Sequence, residues 1–366
     1  MIPSGIWSDK WQPRWFTTVA GLATGLGWII SAHAATHLEL YLAYGIGSLG
    51  PGYIYANGVN NALKWFPEAK RRGVAVGLID MGFGAGSAIF IPILAGIIAT
   101  GVNGYQHAFQ DMGIAMIVII VVVAQFLRYP EKGWTPPGYN PESDRASQSA
   151  SRNKVANTLH QFTPTEVLQT WQFWVAWIAM SLICAAGSMI TAHIVDIAKV
   201  NVAVAAAAVG VTAATLSRLP NGGMRWVSGI VSDYIGRELS MFIAYVIMGI
   251  SLFWMANTHN GILFIILACV AMGMWGPLFT LFPALMTDYF GREHSAVNYG
   301  MMYTGKAVGG IFGGILASTI YVAAGHSYAP DFYLAGAFAI VAGLLAMFVL
   351  KRPRAAYAEA PQNKTA

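Results

Sequence analysis

Charge is what this 366-residue chain has least of. Lys plus Arg number 21 and Asp plus Glu 16, together 10% of residues, against roughly 25% in soluble domains. A surface so poor in charge excludes a soluble enzyme, a nucleic-acid binder and a disordered tail. Cysteine is nearly absent: Cys184 and Cys269 each lie inside an apolar run. They read as small packing residues, which excludes a disulfide framework. No Gly-x-Ser-x-Gly or His-Glu-x-x-His pattern occurs, and no His/Cys/Asp group has metal-ligand spacing, so no enzyme chemistry, metal or cofactor is expected. His33, His37, His193 and Asp196 read as residues near helix ends. The net charge of +5 is no sign of nucleic acid either, because the basic residues sit at the ends of apolar runs, as in a membrane protein.

What is abundant is apolar length. Hydrophobic residues make up 56% of the chain, with 12 Trp and 40 Gly, and mean hydropathy is +0.54. Runs long enough to cross a bilayer as helices fall at 16–34, 40–62, 74–99, 109–127, 171–197, 204–228, 240–257, 262–286, 295–320 and 332–350. They are far longer than the roughly 9 to 11 residues of a barrel strand. The expectation is an all-α membrane protein of about ten spans, four before a polar segment and six after it.

Ten spans put both termini on one side. That side holds 17 of the 21 basic residues, among them Lys64, Lys70, Arg71, Arg72, Arg128, Arg237, Arg292 and Lys351, whereas the opposite loops hold only Lys199. The positive-inside bias makes the basic side cytoplasmic, in an inner or plasma membrane. The organisation read from the sequence is a four-helix bundle over 1–128, a cytoplasmic linker over 129–170, a six-helix bundle over 171–350 and a cytoplasmic tail over 351–366. Within the linker, Thr163-Pro164-Thr165-Glu166 suits a capped short helix.

A repeat links the two bundles. Ser4-Gly5-Ile6-Trp7-Ser8-Asp9, with Arg14 after it, matches Ser228-Gly229-Ile230-Val231-Ser232-Asp233, with Arg237 after it. Repeats of this kind mark carriers built from two related halves. The second copy follows two spans and the first follows none, so the first bundle reads as lacking two helices. Overlaying 16–62 on 240–286 should superpose the two copies. Asp9, Arg14, Asp233 and Arg237 are expected to form cytoplasmic gate contacts.

The paired loops resemble the signature of the major facilitator superfamily. More narrowly, Lys64-Trp65-Phe66-Pro67-Glu68 with Arg72-Gly73, then Asn221-Gly222-Gly223-Met224-Arg225, then Asn298-Tyr299-Gly300 with Lys306 are similar to the oxalate/formate antiporter family. The resemblance implies a two-bundle helical transporter with one central site open alternately to each side. It places the anion-binding cations on Arg225 and Lys306, and the aromatic wall on Tyr55, Phe83, Trp275, Phe279 and Tyr303. Phe83 and Phe279 stand where an oxalate carrier has tyrosine, Tyr303 where it has tryptophan, and Gln12 replaces a loop glycine. These departures shift the expected substrate from oxalate itself to a related small carboxylate. The function expected is exchange of small carboxylates by a monomeric carrier in the bilayer. Proton-coupled monocarboxylate symport and an inactive truncated membrane protein are the alternatives.

The residues bear on this directly. An ionised group near the bilayer centre costs roughly 2.5–3.5 kcal/mol on insertion scales. Arg225 and Lys306 therefore need compensation: a bound carboxylate, an internal acid, or escape to the interface. Lys306 lies deep in its span, whereas Arg225 falls only a few residues from the end of 204–228. Arg218, seven residues earlier, reads as a structural cation or a third cavity charge. Asp80 reads as a partner for a cavity cation or as a proton-coupling group. Pro220 through Gly223 should loosen their helix. Gly305, Gly309 and Gly313, with Gly310 and Gly314, form small-residue faces suited to sliding or to tight static packing.

Overall fold

The computed structural model describes residues 12–66, 69–131, 134–137, 160–202, 204–291 and 294–353. Among them there is no strand; the fold is the all-α, two-bundle architecture expected. Each apolar run is helical: α1 (Pro13–Ala32), α2 (His37–Gly47) with α3 (Leu49–Trp65), α4 (Ala69–Ala85) with α5 (Ser87–Ile98), and α6 (Gly104–Ala124). A short α7 (Pro164–Gln169) precedes α8 (Trp171–Asn201). Then follow α9 (Ala206–Leu216) with α10 (Arg218–Ile235), α11 (Arg237–Met255), α12 (Gly261–Trp275) with α13 (Leu278–Phe290), and α14 (Ser295–Met302) with α15 (Thr304–Ala323). The last span is α16 (Ala329–Leu344), ending in a π-helical turn over Leu345–Val349.

Eight stretches of the described chain are long and apolar enough to cross a membrane, three of them as two consecutive helices. The other two expected spans, α2–α3 and α9–α10, are interrupted as well. Their breaks lie where proline puts them. Pro51 and Pro220 each lack a donor and crowd the carbonyl four residues earlier, and those positions, Gly47 and Leu216, are the last residues of α2 and α9.

Two compact units divide the chain: Met1–Ile79 with Ile89–Ser151, and Asp80–Ala88 with Arg152–Ala366. In the first, α1 packs on α6 and on α2–α3. A buried polar knot holds it: Asn57 Nδ2 donates to Pro13 O (3.1 Å) and Thr17 Oγ1 (2.7 Å), and the Tyr129 hydroxyl donates to Asn57 Oδ1 (2.8 Å). An apolar cavity of about 400 Å³ beside the α2–α3 break, lined by Phe16, Ala20, Leu49 and Tyr53 among others, has no charged side chain to offer an anion.

In the second unit α8 packs on α15, α16 and α9, and α11 on α16 and α12. Its core is filled by Phe173, Met180, Ile183, Ile190, Tyr245, Phe264, Phe282 and Phe332, each under 2% exposed. Bulky apolar residues also cover the outside, for instance Trp254 (58% exposed), Ile262 (73%) and Ile311 (63%), a surface whose solvent is lipid. Gly305, Gly309 and Gly313 lie against the α8 backbone: a Cβ on Gly305 would stand 3.0 Å from Trp177 O, and one on Gly313 2.7 Å from Ala185 O. That face is close static packing, while a Cβ on Gly314 would meet nothing within 4 Å.

The repeat is visible inside each unit. In the first, Gly25 and Gly113 face each other across α1 and α6, each with its Cβ position within 2.7 Å of the other's carbonyl oxygen. In the second, Gly249 and Gly336 do the same across α11 and α16, at 2.7 and 3.0 Å. Ile117 lines the first crossing and Ile340 the second.

The signature around Asp233 needs a correction. It was expected in a loop, but Ser228 through Ile235 complete α10. Ser228 and Ser232 turn their hydroxyls back onto the carbonyls of Arg225 and Gly229, so these polar residues need no water and the helix continues. It stops at Gly236, whose φ of +97° suits only glycine without strain. The short linker helix α7 has the expected capping box. Glu166 accepts from the Thr163 backbone N–H at 2.7 Å, and that bond, then the Thr163 hydroxyl, holds its carboxyl below its ordinary range.

Candidate functional site

The longer α10 changes the position of Arg225. It stands ten residues before the end of its helix, not a few, and is only 4% exposed. Asn221, one turn earlier, accepts from Arg225 Nη2 at 3.0 Å and donates its own Nδ2 to Met272 O at 2.8 Å, fixing α10 to α12. From α13, Thr280 Oγ1 donates to Arg225 O at 2.9 Å. The guanidinium carbon lies 3.9 Å from the centroid of the Phe279 ring and 5.4 Å from that of Phe83.

Phe83 reaches this place through glycine. A Cβ on Gly84 would lie 2.7 Å from Gly222 Cα and 2.8 Å from Arg225 Nε. Gly222 in turn would meet Met81 O at 2.6 Å. Only two bare backbones can approach so closely, and that approach sets the segment carrying Asp80 (8% exposed) and Phe83 beside α10.

Lys306 also lies against Phe279. Its Nζ is 5.0 Å from that ring's centroid and 4.7 Å from the Tyr303 ring, and it donates to the Tyr303 hydroxyl at 2.8 Å. The two cations therefore share one phenyl ring. They stand no farther apart than the sum of their two distances to it. The helix break at Tyr303 places Lys306 in the first turn of α15, where the positive end of the helix dipole adds to its charge.

Trp275 completes the described wall. Its Nε1 donates to Ile183 O at 3.0 Å, its ring fits over Gly187, and it meets Phe279 edge to face at 5.7 Å between centroids. The structure thus brings together Arg225, Lys306, Phe83, Trp275, Phe279 and Tyr303. Tyr55 belongs to the first unit, half-buried on α3. Arg218 is outside this group, half-buried and bonded through Nε to Ala214 O at 3.3 Å.

At one end of the second unit Arg237 pairs with Asp233 at 2.6 Å and with Asp288 of α13 at 3.0 Å, and also donates to the Ser232 hydroxyl. Asp288, with only 9% of its side chain exposed, was not found in the sequence. It lies just past the apolar run 262–286, and 51 residues separate it from Arg237. Asp9 lies outside the described residues. Arg14 rests over the Trp15 ring at 4.8 Å.

Apolar helices in two units, with Arg225 buried on α10 and Lys306 half-buried at the start of α15, are the arrangement of a membrane transporter. The model of the Major Facilitator Superfamily matches residues 1–225 and again 201–365, and the chain belongs to that superfamily. It is 30% identical over 351 residues to the oxalate:formate antiporter of Oxalobacter formigenes, covering 95% of this chain and 78% of that protein. It is 27% identical over 158 residues to human monocarboxylate transporter 14, covering 43% of this chain and 30% of that one. Among solved structures a proton:xylose symporter superposes with a TM-score of 0.63 at 14% identity, covering 91% of this chain and 79% of that one. At that identity the likeness is one of fold.

Proposed function

We propose that this transporter exchanges small carboxylate anions by alternating access, with Arg225 and Lys306 binding the anion and Trp275, Tyr303, Phe279, Phe83 and Tyr55 enclosing it. The observation that carries the reading is two cations of one unit held over a single phenyl ring. A planar guanidinium can take a carboxylate bidentately, and the ammonium takes it as a point charge. Lys306 in the first turn of α15 reproduces a feature of carriers in which interrupted helices direct their N-termini at anionic substrate groups. The similarity to an oxalate:formate antiporter supports the same class of ligand.

Exchange follows from the cost of the empty site. The partners of Lys306 among the described residues are a neutral hydroxyl and the faces of two rings, which leave its charge uncancelled. The loaded carrier, with charge compensated, changes sides more readily than the empty one. Proton-coupled monocarboxylate symport is the second reading, favoured by the partial similarity to a monocarboxylate transporter. Purified protein in proteoliposomes preloaded with oxalate or formate tests both. Rapid uptake only when the inside is loaded marks exchange, and uptake driven by a pH gradient into empty vesicles marks symport. Arg225→Gln and Lys306→Gln should each abolish uptake; parental rates in both would place the site elsewhere.

A further inference from the structure

The end of the second unit opposite Arg237 carries a group that the anion site does not use. Asp331, in the first turn of α16, is 1% exposed, and neither carboxylate oxygen has a hydrogen-bond partner among the described residues. A carboxylate at this position of a helix commonly caps the preceding backbone N–H groups, as Glu166 does for α7. Asp331 makes no such bond. An ionised carboxylate withdrawn from water without a partner is among the least favourable arrangements in a protein. Something must bind to it.

The neighbours on every packed element leave one candidate. α16 packs on α8, α11 and α15. From α8 come His193, whose ring lies 6.0 Å from that of Tyr328, and Asp196, whose charge is taken by Lys199 at 2.9 Å. From α15 comes Tyr321, stacked on Tyr328 at 4.2 Å, with His326 of the connecting turn set edge-on to it at 5.1 Å. Burial first, then the charge of Asp196, holds the Tyr328 phenol above its ordinary range. It stays neutral and supplies no countercharge. The end of α11 beside α16 carries Phe253 and Met255; its titratable residues, Arg237, Glu238 and Tyr245, lie farther along the helix. His259, on the turn after α11, is tied to Asn201 O at 2.8 Å. No group of three or more His, Cys, Asp or Glu residues able to hold a metal occurs among the described residues.

We propose that Asp331 is a proton-binding site, taking up and releasing a proton with the compartment that the α15–α16 turn faces. Protonation converts the buried anion into a neutral acid that α8, α11 and α16 can enclose. Loss of the proton requires water to enter at the first turn of α16 and loosens that end of the unit. The reading is independent of the substrate bound at Arg225 and Lys306, and holds for exchange and for symport alike.

Infrared spectroscopy of the full chain in bilayers tests it without a transport assay. In mildly acidic medium the protein should show the carbonyl stretch of a protonated carboxylic acid, and the band should vanish as the medium is made alkaline. Asp331→Asn should lack that band, Asp331→Glu should shift it, and Asp288→Asn should retain it. In proteoliposomes the dependence of uptake on the pH of one compartment should flatten in Asp331→Asn. Should the Asn variant fold poorly, the titration of the parent and the shift in the Glu variant still decide. A parent without a titrating carboxylic-acid band, or a band unchanged in the Asn or Glu variant, overturns the proposal.

Discussion

Replacing Arg225 separates charge from geometry. Its guanidinium is buried, held over Phe279 at 3.9 Å and tethered to Asn221 at 3.0 Å, so it meets an anion already oriented. A hydrogen bond involving a charged group contributes about 1.5–3 kcal/mol. The planar fork makes two such bonds to a carboxylate, whereas a lysine ammonium makes one with the same charge. Arg225→Lys should therefore cost about 1.5–3 kcal/mol, a weakening of Kd by about 10- to 150-fold at roughly 1.4 kcal/mol per decade. Arg225→Gln removes charge and fork together and should cost about 3–5 kcal/mol, the upper part of the range for truncating a buried charged pair. Arg218→Gln serves as the control, because Arg218 bonds the carbonyl of Ala214 and should change affinity less than about threefold, well under one decade. Equilibrium binding of labelled oxalate and formate to detergent-purified protein gives all three values. If Arg225→Lys binds within about threefold of the parent while Arg218→Gln loses a decade or more, the bidentate assignment is wrong and the cation that matters is one turn pair away.

Three further outcomes follow from the packing and the charges. Gly249→Ala would set a methyl group 2.7 Å from Gly336 O, and Gly25→Ala one 2.5 Å from Gly113 O. Each should lower stability by about 1–3 kcal/mol, the usual cost of overpacking, and thermal unfolding should show similar losses if the two crossings are equivalent. Of the two acids on Arg237, Asp288 has 9% of its side chain exposed and Asp233 62%. Asp288→Asn should cost about 3–5 kcal/mol as a broken buried pair and Asp233→Asn about 1 kcal/mol or less as a surface pair; equal losses in chemical unfolding would refute the ranking. At the linker, the folded state of Glu166 holds its carboxyl below its ordinary range, chiefly through the Thr163 backbone N–H. Its contribution is therefore present above the ordinary glutamate range and lost as pH falls through the depressed value. Hydrogen exchange of the first α7 amides should accelerate on acidification in the parent and show no such step in Glu166→Gln.

The parts of this molecule that the sequence discloses are those governed by local pattern. Apolar runs set the helices because in lipid every backbone group must be satisfied within its own helix, and Pro51 and Pro220 set two of the breaks because a missing donor acts four residues away. What stays hidden depends on partners distant in the chain or on satisfaction that composition does not reveal. The run Ser228 to Asp233 is polar enough to resemble a loop, yet each serine closes its hydroxyl onto the preceding turn and the helix passes through. That one misreading also moved Arg225 toward the interface on paper, when ten residues of α10 lie beyond it. Asn57 looks like an interruption of an apolar helix until Thr17 and Tyr129 are found around it. The break at Tyr303 has no proline to announce it, and it puts Lys306 at a helix start instead of mid-helix. Arg225 and Lys306 were legible as a pair through family resemblance. What joins them is Phe279, which departs from the expected tyrosine. A tyrosine there would bring a hydroxyl able to bond an anion or a neighbouring group, whereas phenylalanine offers both cations only its face. The ring steadies each charge through its quadrupole without cancelling either, so both remain able to attract an anion.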